Sequence, residues 1–253
     1  MFKVENTKLD IYSNIRIRKQ KKTLIYISMF KNPEFSNKLF KTFKRDYDYA
    51  LRNKFFRLSK EQFFNERYFQ SILIKSLLEF DNPNNLIIPE MPYPKNKSKR
   101  MDIFIQDYED SFKYIEVKYF REPPGGGGQT EERGRFYADF CKLALLSEEQ
   151  TELFLFFIFD QNRWDYFSKN SFHSEFDSNQ SLITENGNIR DQFTLTYDLL
   201  CQGNKVDTIR KTIEGEIGSP IKFKKFKVKI EQLFKFKHEG FFFLLLQFEP
   251  KII

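Results

Sequence analysis

Two short apolar runs in this chain carry charges that a buried strand should not hold. Asp102 sits in Arg-Met-Asp-Ile-Phe-Ile (100–105). Glu116 and Lys118 flank a valine in Tyr-Ile-Glu-Val-Lys-Tyr-Phe (114–120). A lone buried ion is expensive, so charges are depleted from strand interiors. A fold that accepts two carboxylates and an ammonium in neighbouring strands must bring them together or turn them to a surface. Side chains alternate along a strand, which puts Glu116 and Lys118 on one face. If the two runs pair as an antiparallel hairpin, Asp102 lies beside Glu116 at one end of a sheet.

The flanking sequence supplies that sheet with neighbours. The spacing predicts helix, strand, strand, strand, helix, strand over 60–80, 86–91, 100–106, 113–120, 130–147 and 152–160. Ser59 and Gln62 read as a capping box for the first helix. Its stripe of Phe69, Leu73, Leu77 and Phe80 includes Glu66 near the start. There the carboxylate serves as a dipole or salt-bridge partner, or reaches the sheet edge. Asp81–Asn85 is a breaker cluster, Pro89 interrupts the next strand, and Lys95–Arg100 reads as a basic loop. Gly125–Gly128 reads as a mobile loop, since four glycines cannot form a core element. Phe136, Phe140, Leu143 and Leu146 give the second helix its apolar face. Leu153–Phe159 is apolar throughout, as in a strand buried on both faces.

The ends are built differently. Thr23–Met29 reads as a strand. Asn32-Pro33-Glu34 opens a helix with Phe35, Leu39, Phe43, Ala50 and Leu51 at roughly helical spacing. The same helix carries Lys38, Lys41, Lys44, Arg45 and Arg52, either a solvated face or a phosphate-contacting one. Residues 161–215 hold Trp164 and short apolar runs without a clear period. Lysines then alternate with Ile221, Phe223, Phe226, Val228 and Ile230, with a bulge expected at Lys224-Lys225. Leu233–Lys237 and Phe241–Phe248 flank His238-Glu239-Gly240 as a β-hairpin. The expected organisation is a basic extension over 1–58, a core over 59–160, and a C-terminal extension over 161–253.

Charge follows this division. Residues 1–60 hold 16 Lys and Arg against 5 Asp and Glu, and residues 221–238 hold seven Lys against Glu231, while the whole chain is only +7. The middle is therefore acidic. Basic flanks around an acidic centre suit a protein that grips a polyanion at its edges and gathers carboxylates at a metal. Two cysteines without a CxxC pair, and two histidines, argue against structural zinc and against a histidine general base. No apolar run is long enough to span a membrane, and the N-terminus lacks a secretory plan, so a cytoplasmic protein is expected.

Two carboxylates and the intervening carbonyl of Val117 offer hard oxygen donors, which suit Mg²⁺. Such a site beside a phosphodiester can activate water and neutralise a leaving alkoxide. Lys118 there can orient or deprotonate the water, or stabilise growing charge. On the same residues, a cross-strand charge pair at the surface remains open.

With Asp102, Glu116-Val117-Lys118, the order of elements and Glu66 in the preceding helix, residues 60–160 resemble the PD-(D/E)XK nuclease superfamily. Met101 stands where the family name has Pro. The resemblance implies an α/β fold: a restriction-endonuclease-like αβββαβ core, a mixed central sheet flanked by helices, here with N-terminal helical and C-terminal β-hairpin additions. It implies that Asp102, Glu116 and Glu66 ligate Mg²⁺ and that Lys118 assists the water. It also implies that Gln129, Arg133 and Arg135, at the start of the second helix, lie near the substrate phosphate; Lys99 and Arg100 join them as basic nucleic-acid contacts on the approach to Asp102. The expected protein is a DNA endonuclease of restriction or phage defence, acting as a homodimer as many such enzymes do. The alternatives are a structure-specific repair or recombination nuclease or an RNase on the same core, a nucleic-acid-binding protein without catalysis, and a structural or toxin-neutralising protein with solvated charges.

Overall fold

The computed structural model describes residues 30–53, 63–80, 85–94, 96–106, 111–121, 129–147, 151–168, 182–184, 186–196, 206–218, 220 and 225–252. Helix α1 spans Pro33–Arg52 and α2 spans Glu66–Phe80. Strands β1 (Leu86–Tyr93), β2 (Asn96–Gln106) and β3 (Phe112–Phe120) follow. Helix α3 (Gln129–Ala144), strand β4 (Thr151–Asp160) and helix α4 (Gln161–Ser168) come next. The chain continues with β5 (Gln192–Thr196), α5 (Val206–Ile217), β6 (Lys225–His238) and β7 (Phe241–Ile252).

Seven strands form one mixed sheet in the order β1-β2-β3-β4-β7-β6-β5, in which only β3 and β4 run parallel. The expected helix, three strands, helix, strand order is present. Helices α1 and α2 cover one face, through Phe35, Leu39, Phe43, Phe69, Leu73 and Leu77. Helices α3, α4 and α5 cover the other, through Phe136, Phe140, Leu143, Trp164, Phe167 and Ile213. Among the described residues no helix is long and apolar enough to cross a membrane.

Local chemistry sets the element ends. The Asn32 side chain accepts from the Glu34 N–H at 2.9 Å, and Pro33 occupies the first helical position, where a missing N–H costs nothing. The β6–β7 turn places Glu239 and Gly240 at φ 48° and 82°, the two positive-φ positions of a type I′ hairpin.

Several expectations are corrected. Leu51 is exposed and Tyr47 takes its place in the core, because the α1 stripe runs 35, 39, 43, 47, 50. The helix expected over 60–80 is broken at Phe64-Asn65. Asn65 accepts from the Tyr68 N–H at 3.0 Å and so starts a new helix at Glu66; Ser59 and Gln62 lie outside the described residues. Pro89 does not interrupt β1, which is an edge strand and can spare an N–H. Residues 96–100 are strand, not loop, because β1 supplies their partners: Pro92 faces Arg100 and Tyr93 faces Asn96. Residues 225–238 form one strand whose irregularity falls at Leu233; Lys224 lies outside the described residues, as do the segments expected as a strand at 23–29 and as a glycine loop at 125–128. The Leu233 bulge has a visible effect. Val228 and Ile230 pack with α3, whereas Phe234 packs with α1 and α2.

Candidate active site

The β2–β3 ladder runs from Gln106↔Phe112 to Ile103↔Ile115 and stops there. Opposite on β1, Glu90 adopts φ 53°, and no Glu90–Asp102 pair joins the register on either side. The β1–β2 hairpin bends at this point. Met101 packs in the α3-side core, while Ile103, only two residues on, packs in the α2-side core. Asp102 is therefore the residue at which β2 leaves β3.

Leaving exposes backbone groups of β3, and the candidate carboxylates take them. Asp102 Oδ2 accepts the Val117 N–H at 2.6 Å, and Glu66 Oε2 accepts the Tyr119 N–H at 3.4 Å. In a strand the N–H and C=O of one residue point to the same side. The Val117 carbonyl thus faces the opened β2 side, next to Asp102. Asp102 Oδ1 accepts a further hydrogen bond, from the Gln70 amide of α2, at 2.9 Å.

Glu116 stands on β3 one residue beyond the last β2–β3 pair, Ile103↔Ile115, and is almost fully buried, at 2% exposure. Its Oε2 accepts from Lys142 Nζ of α3 at 2.9 Å, and Lys142 lies 3.9 Å from Asp139 Oδ1 one turn earlier. Lys118 reaches Glu66 Oε2 at 3.5 Å across the opened end. Glu66, Asp102, Glu116 and Asp139 thus share one region with Lys118 and Lys142. Four carboxyls face two amines. Glu116 Oε1 and Asp139 Oδ2 are buried without a hydrogen-bond partner.

The electrostatics follow from this crowding. Burial pushes the Asp102 carboxyl well above its usual range, and the Glu116 and Glu66 carboxylates push it further. Asp139 is pushed up to about 7 by burial, against the opposing ammonium of Lys118. Burial alone would lower Lys118, but Asp139, Glu66, Asp102 and Glu116 outweigh it and hold its proton on. Lys142 is raised in the same way, with burial outweighed chiefly by Glu116 and Asp139.

A cleft of about 350 Å³ opens beside Lys118, lined by Glu66, Tyr119, Phe120, Arg121, Glu132, Arg135 and Glu216. Glu132 in its wall is pushed up to about 7 by burial, opposed by Arg163, whose Nε lies 3.0 Å away. Arg135 in the same wall pairs with Glu216, which also lines it, at 3.7 Å, and with Glu131 one turn earlier on α3 at 2.6 Å. Lys99 and Arg100 lie on the β1–β2 hairpin and do not line the cleft; Arg100 donates to the Glu90 carbonyl at 3.4 Å. Gln129 and Arg133 belong to α3, but their side chains lie outside the described residues.

Among the described residues no group of three or more His, Cys, Asp or Glu is set to hold a metal. The donor set here is smaller: Asp102, Glu116 and the peptide of Val117. It offers oxygen only, includes a buried oxygen without a partner, and carries more acid than base, all of which suit a hard divalent cation.

Sequence reading did not select Gln70, Asp139 or Lys142. The signal for the last two was present. Both fall on the apolar stripe of α3, between Phe136, Phe140, Leu143 and Leu146, as Glu66 does on α2. The chain matches no protein-family model, no curated protein and no solved structure.

Proposed function

We propose that the chain is a Mg²⁺-dependent endonuclease that hydrolyses DNA phosphodiester bonds, built on a restriction-endonuclease-like core. One observation carries this reading: four carboxyls and two amines converge where β2 leaves β3, and a carboxylate oxygen of Glu116 is buried with nothing bonded to it. Asp102, Glu116 and the Val117 carbonyl would hold the ion, with Glu66 at the margin. When bound, Mg²⁺ polarises the phosphoryl oxygen and lowers the pKa of a bound water. Lys118, 3.5 Å from Glu66 at the edge of the site, would orient or deprotonate the water or stabilise the growing phosphorane charge. The role is restriction or another form of phage defence, with a homodimer cutting both strands.

The test is cleavage of plasmid DNA by the full chain in Mg²⁺, with EDTA, single-stranded, branched and RNA substrates alongside. Nicking or linearisation that EDTA stops and Glu116→Gln removes is the expected result. Preferential cutting of branched DNA or RNA would move the role to repair or to an RNase. No cleavage of any substrate in Mg²⁺ or Mn²⁺ would overturn the proposal.

A second reading has its own observation. Both oxygens of Asp102 are already engaged, by Gln70 and by Val117. A nucleic-acid-binding protein without catalysis would keep such a bend as structure. It would bind DNA with a steep salt dependence and never cut it.

Helix α1 bears on DNA binding. A groove of about 550 Å³ beside it is lined by Glu34, Asn37, Lys38, Lys41, Thr42, Arg45 and Phe80. Lys38 pairs with Glu79, and Arg45 with Asp46. Lys41 and the exposed Lys44 are the substitutions to make. The double variant Lys41→Ala, Lys44→Ala is expected to flatten the slope of log K against log salt by about 0.9 for each phosphate no longer neutralised. A slope equal to wild type would assign this face to solvent.

A further inference from the structure

Asp139 and Lys142 are buried charges in the middle of an otherwise apolar helix face, at 2% and 6% exposure. Stability does not explain them. A buried ion pair is often replaceable by apolar side chains without loss. The same face carries Phe136, Phe140 and Leu143 where packing alone is needed.

Their geometry bears on Glu116. Lys142 Nζ fixes one carboxylate oxygen, Oε2, at 2.9 Å. That leaves Oε1 buried and without a partner. A lone ammonium this close would also repel a cation. Asp139 Oδ1, 3.9 Å from Lys142 Nζ, offsets that charge. The pair therefore orients Glu116 while Asp139 reduces the positive charge beside it. Partners of this kind, one step removed from a metal, orient its ligands and tune them.

We infer that Lys142 and Asp139 are positioning residues, holding Glu116 so that Oε1 is presented to the divalent cation; the inference rests on the metal site proposed above. They touch neither substrate nor ion and act through Glu116.

The test is a titration of the full chain with MgCl₂ alone, read as the rise in melting temperature, with cleavage followed separately. A ligand that binds only the folded state raises that temperature in a concentration-dependent way. Wild type is expected to respond. Lys142→Met is expected to move the half-maximal Mg²⁺ concentration up by about 10–100-fold, the usual cost of losing such a partner. Lys142→Arg, which keeps the donor, is expected to recover most of that loss. Asp139→Asn keeps the shape of the site and removes the second carboxylate beside Lys142, so it too should need more Mg²⁺, by several-fold. It also decides the matter if Lys142→Met does not fold. Responses of Lys142→Met and Asp139→Asn at the wild-type concentration would overturn the positioning role while leaving the metal site standing. A wild-type protein with no Mg²⁺ response would remove the metal site itself, and this inference with it.

Discussion

Asp102→Asn is expected to abolish cleavage and, in the absence of metal, to raise the melting temperature at neutral pH. The two effects share one cause. Asp102 is half-buried near Glu116 and Glu66, and its folded carboxyl is raised well above the unfolded value near 3.9. A group raised in this way stabilises the fold fully below its unfolded pKa. That contribution is lost as the pH climbs through the folded value, because the charged form is disfavoured in the fold. Asparagine has no proton to lose. The amide can also keep both existing bonds: its oxygen accepts the Val117 N–H, and its NH₂ donates to Gln70 once that side chain turns over. The advantage of the variant should therefore be absent near pH 4 and grow towards pH 8, by roughly 2–4 °C for each kcal/mol in a chain of this size. Activity should fall by more than the roughly 10–100-fold that loss of an outer partner costs, because the amide removes a ligand charge. Melting curves from pH 4 to 8 in EDTA, with plasmid cleavage in Mg²⁺, measure both. A variant less stable than wild type at pH 8 would make Asp102 a strand cap and nothing more. A variant that still cuts would place the chemistry elsewhere.

That Asp102, Glu116, Lys118 and Glu66 gather at one end of the sheet follows from residues whose signal is local. Each is a charge at a position where alternation or helical spacing calls for an apolar side chain. The bend that gathers them is not local. Nothing in 100–105 says that Met101 and Ile103 serve opposite cores, because that depends on β2 losing β3 and following β1. The Leu233 bulge is hidden in the same way. Val228, Ile230, Phe234 and Phe236 share one parity in the sequence and read as a single face, yet the inserted residue divides them between two. Asp139 and Lys142 carried the same signal as Glu66. Their role depends on which strand the helix covers, and that is set by the β3–β4 crossover rather than by the helix.

Phe243→Ala is expected to destabilise the protein by about 3–5 kcal/mol, a large part of the roughly 5–15 kcal/mol that holds a typical domain. Phe243 on β7 is fully buried. Its ring lies 4.7 Å from Phe43 of α1, 5.7 Å from Phe69 of α2, and 4.4 Å from Phe236 of β6, on which it stacks. One side chain near the C-terminus thus closes a core shared with both N-terminal helices. Phe69 precedes Gln70, which holds Asp102, and its ring is 5.0 Å from Tyr119, which follows Lys118. A cavity at 243 should therefore loosen α2 and reach the candidate site, lowering activity near the new melting point. Leu51→Ala is the control: 55% exposed on α1, it should stay within about 0.5 kcal/mol of wild type. Thermal and urea unfolding measure both variants. One cooperative transition, shifted down by Phe243→Ala, is the expected outcome, since β4 pairs directly with β7. A two-step melt, with the β6–β7 hairpin unfolding first and cleavage intact, would show instead that the hairpin is an appendage whose aromatic core the site does not need.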